Sequence, residues 1–246
     1  MIAFIPAGKL KESYAIFGHF YSIQLTRQVV VECRSVLEII AFDQLPKNLA
    51  KIGTRKPDAV FIMMNPGSSR PLVAVNNCVE YERLHELVVS LVPTHPDTTQ
   101  YQLMRVMHHC GWRHVRVLNL SDLRCTKSPE FFRRFKNLEQ EHFCDGHSVF
   151  AQCRRAELAA KWTRDQSIPV IRAWGVSPQL DPLIDRCTSQ LHPQRTVGGL
   201  QKESTSNKFL HPLPSLQSQQ RQWVDRMIAQ CFQEGWHTAG CETKPR

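Results

Sequence analysis

Apolar and polar positions alternate in two distinct textures along this 246-residue chain. Residues 20–42 (FYSIQLTRQVVVECRSVLEIIAF) are rich in β-branched side chains with partial alternation, which predicts two strands around a polar break at Glu32 to Ser35. The expected arrangement is an N-terminal β-meander laid against a main sheet. After the linker DQLPKNLAKIGTRKP come four short apolar runs: AVFIMM (59–64), VRVLNL (115–120), PVIRAWG (169–175) and KFLHP (208–212). Helical patterns stand between and after them. TTQYQLMRVMHHCG (98–111) opens on a Thr cap, repeats apolar residues at helical spacing and closes on Gly111. AQCRRAELAAKWTRDQ (151–166) and LQSQQRQWVDRMIAQCFQ (216–233) behave similarly.

Buried strands alternating with amphipathic helices predict βαβ crossovers, and so an α/β three-layer sandwich with a mainly parallel central sheet. No repeat or low-complexity tract divides the chain, so residues 1–246 read as a single domain. The 1–13 segment and the 237–246 tail are expected to be flexible.

In an open parallel sheet, ligands collect outside the carboxyl ends of the strands, so the residues that end the runs are read together. The first run ends in Asn65-Pro66-Gly67-Ser68-Ser69-Arg70 and the second in Asn119-Leu120-Ser121-Asp122-Leu123-Arg124. The third ends in Trp174-Gly175 and the fourth in His211-Pro212-Leu213-Pro214-Ser215. Each has a plainer reading: Asn-Pro-Gly is ordinary turn chemistry, His211 fits a structural histidine and Trp174 fits a core position. Their conjunction at one sheet edge is what points to a binding crevice.

Composition adds a partner class. Lys and Arg outnumber Asp and Glu 31 to 22, a formal charge of +9, which favours an anionic partner; a solvated basic surface is the alternative. Nine scattered cysteines lack the regular spacing of a secreted disulfide scaffold, and the apolar start MIAFIPAGKLKES is too short for a signal-peptide core. No stretch reaches the ~20 apolar residues of a membrane span. A cytoplasmic location without membrane association is therefore expected, and the sequence leaves the oligomeric state open.

The motifs Met63-Met64-Asn65-Pro66-Gly67 and His211-Pro212-Leu213-Pro214-Ser215-Leu216 resemble the Asn-Pro-Gly and His-Pro-Ser-Pro-Leu motifs of the uracil-DNA glycosylase superfamily. Val117-Leu118-Asn119 is similar to the strand end whose Asn reads a pyrimidine edge. The order FYSIQLTR, FIMMNPG, PDTTQYQLMRVMHHCGW, VRVLNLSDLR, AWG and FLHPLPSL, from about Tyr14 to Trp223, also resembles an uncharacterised bacterial domain family of no established activity. The resemblance implies a uracil-DNA-glycosylase-like fold and a base-excision N-glycosylase. In that role Asn65 would position water, His211 would stabilise the leaving base and Asn119 would read it. Departures are Met63 in place of a Gly, Leu213 in place of a Ser, and no Asp at position 65; the carboxylates nearest the crevice are Asp97 and Asp122.

Cleaving an N-glycosidic bond leaves positive charge on the sugar and negative charge on the base, so a site needs a held water on one side and donors on the other. Trp174 or Phe209 is suited to stacking on an extruded base. Pro66, Gly67, Ser68, Gly175 and Pro212 would shape the binding surface. Arg70, Arg124, Arg133, Arg134, Lys202 and Lys208 would hold a nucleic acid backbone, DNA before RNA, and the 192–207 loop is a candidate for insertion. The alternatives are a non-catalytic module binding nucleic acid or a nucleobase, and an N-glycosidase for small nucleosides. His142, Cys144, His147 and Cys153 have the right types for zinc, but their spacing fits no usual module and reads better as a helix start. The chain has no P-loop, Gly-x-Gly-x-x-Gly, Gly-x-Ser-x-Gly or His-Glu-x-x-His, and no cofactor is expected.

Overall fold

The computed structural model describes residues 2–162 and 165–238. In chain order the elements are α1 (Ala7–Ser13), β1 (Tyr14–Gln24), β2 (Val30–Ala41), β3 (Ala59–Met63), β4 (Arg70–Pro71), β5 (Cys78–Glu80), β6 (Val92–His95), α2 (Thr98–Cys110), β7 (His114–Asn119), α3 (Ser128–Glu141), α4 (Arg155–Lys161), β8 (Val170–Arg172), α5 (Asp181–Thr188), β9 (Val197–Gly198) and α6 (Gln217–Gln233). Short 3-10 turns punctuate the connections.

One sheet orders these strands as β4-β6-β1-β2-β7-β3-β8-β9, with β5 pairing β1. The run β7-β3-β8-β9 is parallel, whereas β2 meets β7 antiparallel and β1, β6 and β4 continue antiparallel. The sheet is therefore mixed, not mainly parallel. The expected meander is a long hairpin, β1–β2, built into that sheet. Its turn lies at Leu25 to Val29, where Leu25 N–H donates to Val29 O and Thr26 Oγ1 accepts from the N–H groups of Gln28 and Val29. Glu32 to Ser35 belong to β2, so the polar residues there do not break a strand.

Side-chain alternation sends the two faces of each strand into separate cores. On β3, Ala59, Phe61 and Met63 pack with Met104 and Met107 of α2 and Val224 and Ile228 of α6. Val60 and Ile62 face the other way, toward Phe131 and Phe135 of α3 and Leu183 and Ile184 of α5. Helices thus cover both faces of the sheet. Helix α2 starts from Asp97, whose carboxylate accepts Gln100 N–H at 3.0 Å while the Gln100 side chain accepts Asp97 N–H at 3.1 Å, a reciprocal cap. Asp97, not the expected Thr, is the cap, and Gly111 closes the helix at φ 71°.

The segment 1–13, expected to be flexible, carries α1 with Leu10 fully buried. Of the tail, residues 239–246 lie outside the described residues; Thr238 N–H donates to Cys110 O at 3.0 Å. KFLHP forms no strand: Phe209 makes only isolated bridges to Gly175 and Gln201, and β9 occupies the parallel edge instead. No helix is long and apolar enough to cross a membrane among the described residues. The eight described cysteines are unpaired.

Asp122, just past β7, is sunk in a buried charge network. Its carboxylate pairs with Arg154 and accepts from Tyr21 Oη at 2.9 Å, and Arg154 turns its other nitrogens to Glu157 at 2.6 and 2.8 Å. These bonds tie β1, the end of β7 and the start of α4. We predict that Asp122→Asn costs about 3 kcal/mol of folding stability, because it strips a buried guanidinium of a partner. Chemical denaturation measures this; a loss under about 0.5 kcal/mol would show the pair to be dispensable.

Candidate functional site

The ends of β3 and β7 are locked together before they diverge. Leu120 N–H donates to Met63 O at 2.8 Å and Ser121 N–H to Met64 O at 3.2 Å, extending the parallel ladder past both strands. Asn65 then spends its amide hydrogens on two carbonyls, Leu123 O at 3.2 Å and Cys125 O at 2.6 Å. Its side-chain oxygen keeps its acceptor capacity. A carboxylate at this position would face the same two carbonyls with no hydrogen to offer, which gives a physical reason for Asn where an Asp is absent. Pro66 and Gly67 turn the chain away, and Gly67 does so at φ 64°, a left-handed conformation that disfavours a side chain.

Beneath this turn lies a cavity of about 470 Å³, within the usual range for small-ligand pockets. The strand-end loop supplies Asn65, Pro66, Gly67 and Ser68; β7 supplies Asn119; the end of β8 supplies Trp174 and Gly175; the segment before α6 supplies His211. The predicted residues from all four runs therefore meet. The departures Met63 and Leu213 line it as well. Asp97, one of the two carboxylates expected near the crevice, lines it at the start of α2, whereas Asp122 does not; the walls not foreseen are Thr98 to Gln100 of α2, Phe132 of α3 and Arg34 of β2. Because β2 runs against β7, its early residues reach the same sheet edge, and Arg34 N–H donates to Asp122 O at 2.8 Å.

The polar groups have defined roles in the local bonding. His211 Nδ1 accepts Leu213 N–H at 3.1 Å, which places the neutral ring's proton on Nε2. Burial lowers the pKa of His211 from 6.5 to about 4. The carboxyl of Asp97 is raised by burial, against the pull of its helix-cap bonds and of Arg34. The amide of Asn119 lies between a carbonyl and a guanidinium, and this fixes its orientation: Nδ2 donates to Asn65 O at 3.2 Å and Oδ1 accepts from Arg34 Nη2 at 3.2 Å. Trp174 is fully buried, donates its indole N–H to Asn207 O at 2.9 Å and meets Phe209 edge-on at 5.5 Å.

Other predicted residues sit away from the cavity. Arg70 is exposed on β4, and Arg124 pairs with Glu32 at 3.0 Å over the Phe20 ring. Pro212 is buried behind His211 without lining the cavity. Phe209 lies under the Arg172 guanidinium, 4.0 Å from ring centre to charge, and the aromatic side chains that line the cavity are Trp174 and Phe132. Lys208 pairs with Asp181 and Arg134 with Glu130, while the 192–207 loop is tied into the sheet edge through β9 and the Lys202–Lys208 and Leu200–Leu210 backbone bonds. In the 142–153 cluster, His147 is held by Ser121 Oγ at 2.8 Å and Glu139 at 3.0 Å. Among the described residues, no group of three or more His, Cys, Asp or Glu is placed to hold a metal.

No family model, no curated protein and no solved structure matches this chain.

Two outcomes follow from this geometry. Asn65→Asp should lower stability by about 2–3 kcal/mol near neutral pH, and the penalty should shrink toward pH 4 as the new carboxyl protonates and can donate. Denaturation curves at the two pH values read this, and a pH-independent penalty would contradict it. The His211 ring should stay neutral from pH 8 down to about 5 in an NMR titration, because its folded-state pKa lies near 4. Since that value is below the unfolded 6.5, this group subtracts stability as pH falls from about 6.5 to about 4. A midpoint near 6.5 would mean that the ring is open to water.

Proposed function

We propose that the cavity takes a nucleobase and that the chain is a nucleic-acid-directed N-glycosylase built on a uracil-DNA-glycosylase-like fold. The observation that carries this reading is the meeting of Asn65, Asn119, Trp174 and His211, drawn from the ends of β3, β7 and β8 and from the segment before α6, in one pocket of base-accommodating size. The chemistry divides between its two sides. The free acceptor of Asn65 orients a water, and the carboxylate of Asp97, raised by burial, is placed in the same cavity to take its proton. The Nε2–H of neutral His211 donates to the departing base, which leaves with negative charge. Trp174 and Phe132 provide aromatic walls for an extruded base, and the +9 charge favours a polyanionic substrate.

A second reading, hydrolysis of a small nucleoside, draws support from a different observation. Arg124, Arg134 and Lys208 are each engaged by a carboxylate, so fewer cations are free to grip phosphates than the sequence suggests.

Base release from single- and double-stranded oligonucleotides carrying uracil, hypoxanthine or a thymine mismatch tests the proposal. Wild-type release that falls about a hundredfold in His211→Ala, and falls with added salt, is the expected result. Release from free nucleosides alone, with no salt-dependent affinity for DNA, would favour the second reading. No release from any substrate would overturn both.

A further inference from the structure

Arg34 is a buried cation, 2% exposed, on the wall of the cavity. Its Nη2 donates to Asn119, but Nε and Nη1 have no acceptor. Asp97 and Asp122 attract it through space, yet no carboxylate among the described residues forms an ion pair with it. Two other buried guanidinium groups are paired with carboxylates: Arg154, just before α4, with Asp122 and Glu157, and Arg116 of β7 with Glu38 at 2.7 Å. Burying a cation with donors left over is costly, and the cost is relieved when a ligand brings oxygen to it.

The surrounding groups specify what that ligand edge looks like. The Asn119 carbonyl is committed to Arg34, and one of its amide hydrogens goes to Asn65 O, which leaves the other hydrogen. His211 presents Nε2–H. The side chains of Arg34, Asn119 and His211 thus carry spare hydrogens and no strong acceptor, while the acceptors among the cavity side chains include Asn65 Oδ1 and the Asp97 carboxylate. An amino group brought against the three donors would meet N–H with N–H, whereas a carbonyl oxygen would be received, and more strongly as it gains negative charge.

We propose that Arg34 is the specificity-determining residue of the cavity, receiving a carbonyl oxygen of the bound base, so that the site takes oxo bases and rejects their amino counterparts. This rests on the nucleobase reading above and adds to it a residue and a direction of selectivity. It also gives Asn119 a positioning part, as the group that aims the guanidinium. Where glycosidic cleavage occurs, the bond electrons leave with the base, and Arg34 faces the oxygen on which that charge gathers.

Equilibrium binding of free uracil, cytosine, hypoxanthine and adenine, measured by calorimetry on wild type, Arg34→Met and Arg34→Lys, tests this. Wild type should prefer uracil over cytosine and hypoxanthine over adenine by about tenfold or more. Arg34→Met should bind each pair within about threefold, and its melting temperature should equal or exceed that of wild type, since an unpaired buried cation has been removed. Arg34→Lys, which keeps the charge and loses the planar fork, should retain only part of the preference. A preference that survives in Arg34→Met, or wild-type binding of oxo and amino bases alike, would overturn the role of Arg34 and leave the nucleobase reading standing. Wild-type binding of none of the four bases would overturn both. Should Arg34→Met fail to fold, an undiminished preference in Arg34→Lys would overturn the proposal.

Discussion

The bonds from the Asn65 amide to the carbonyls of Leu123 and Cys125 are the constraint around which the crevice is arranged. They hold the ends of two parallel strands at fixed separation at the point where the ladder can no longer do so. Pro66 and Gly67 can then turn away and open a space instead of collapsing into it. The donors and acceptors inside that space inherit their aim from this clamp: Asn119 leans on the backbone carbonyl of Asn65, and Arg34 leans on Asn119. A side chain with two hydrogens and one acceptor satisfies the clamp and still keeps an oxygen for a ligand, which an Asp cannot do.

The placement of charge separates scaffold from site. On the scaffold side, several buried ions are paired, such as Glu38 with Arg116 at 2.7 Å and His114 at 2.8 Å, or Glu139 with His147 and Arg186. Burial pushes Glu139 upward, yet the bonds from His147 and Arg186 outweigh it and hold the carboxyl at about 2. In the cavity burial prevails, as it does at Asp122 and His19 of the scaffold, and here without such pairs: Asp97 is raised, His211 is lowered to about 4, and Arg34 is lowered to about 10 with two nitrogens unmet. Groups held in their less comfortable states in one concave place are what a binding or catalytic site requires of its residues.

Much of this was legible in the sequence because it depends on short-range signals. The runs 59–64 and 115–120 are mostly apolar on both faces, as expected of strands covered by helices, and α2 and α6 announce themselves by helical spacing. The strand-end residues were readable because chain punctuation falls there. What was not legible depends on partners far away in sequence. Glu32 to Ser35 look like a break between strands, since polar residues interrupt an apolar run; only the pairing of β2 with β1 and β7 shows that they lie within one strand, with Arg34 and Ser35 buried. An Arg-Ser pair flanked by Cys33 and Val36 was the available signal, and it points to a buried charge as readily as to a break. Helix α3 was not among the expected helices, although Pro129 near its start and Phe131, Phe132, Phe135 and Leu138 along one face are a signal for it. β9 is two residues long, too short for any periodicity to mark it.

The central claim is that a base enters the cavity at the carboxyl ends of β3, β7 and β8. The most direct measurement is side-chain NMR of Asn65, Asn119 and Trp174 during titration with a uracil-containing single-stranded oligonucleotide. The account predicts saturable shifts of the Asn65 and Asn119 amide signals and the Trp174 indole signal, absent when the same oligonucleotide carries an abasic site at that position. Binding that leaves these signals unmoved, or moves them equally with the abasic oligonucleotide, would contradict it.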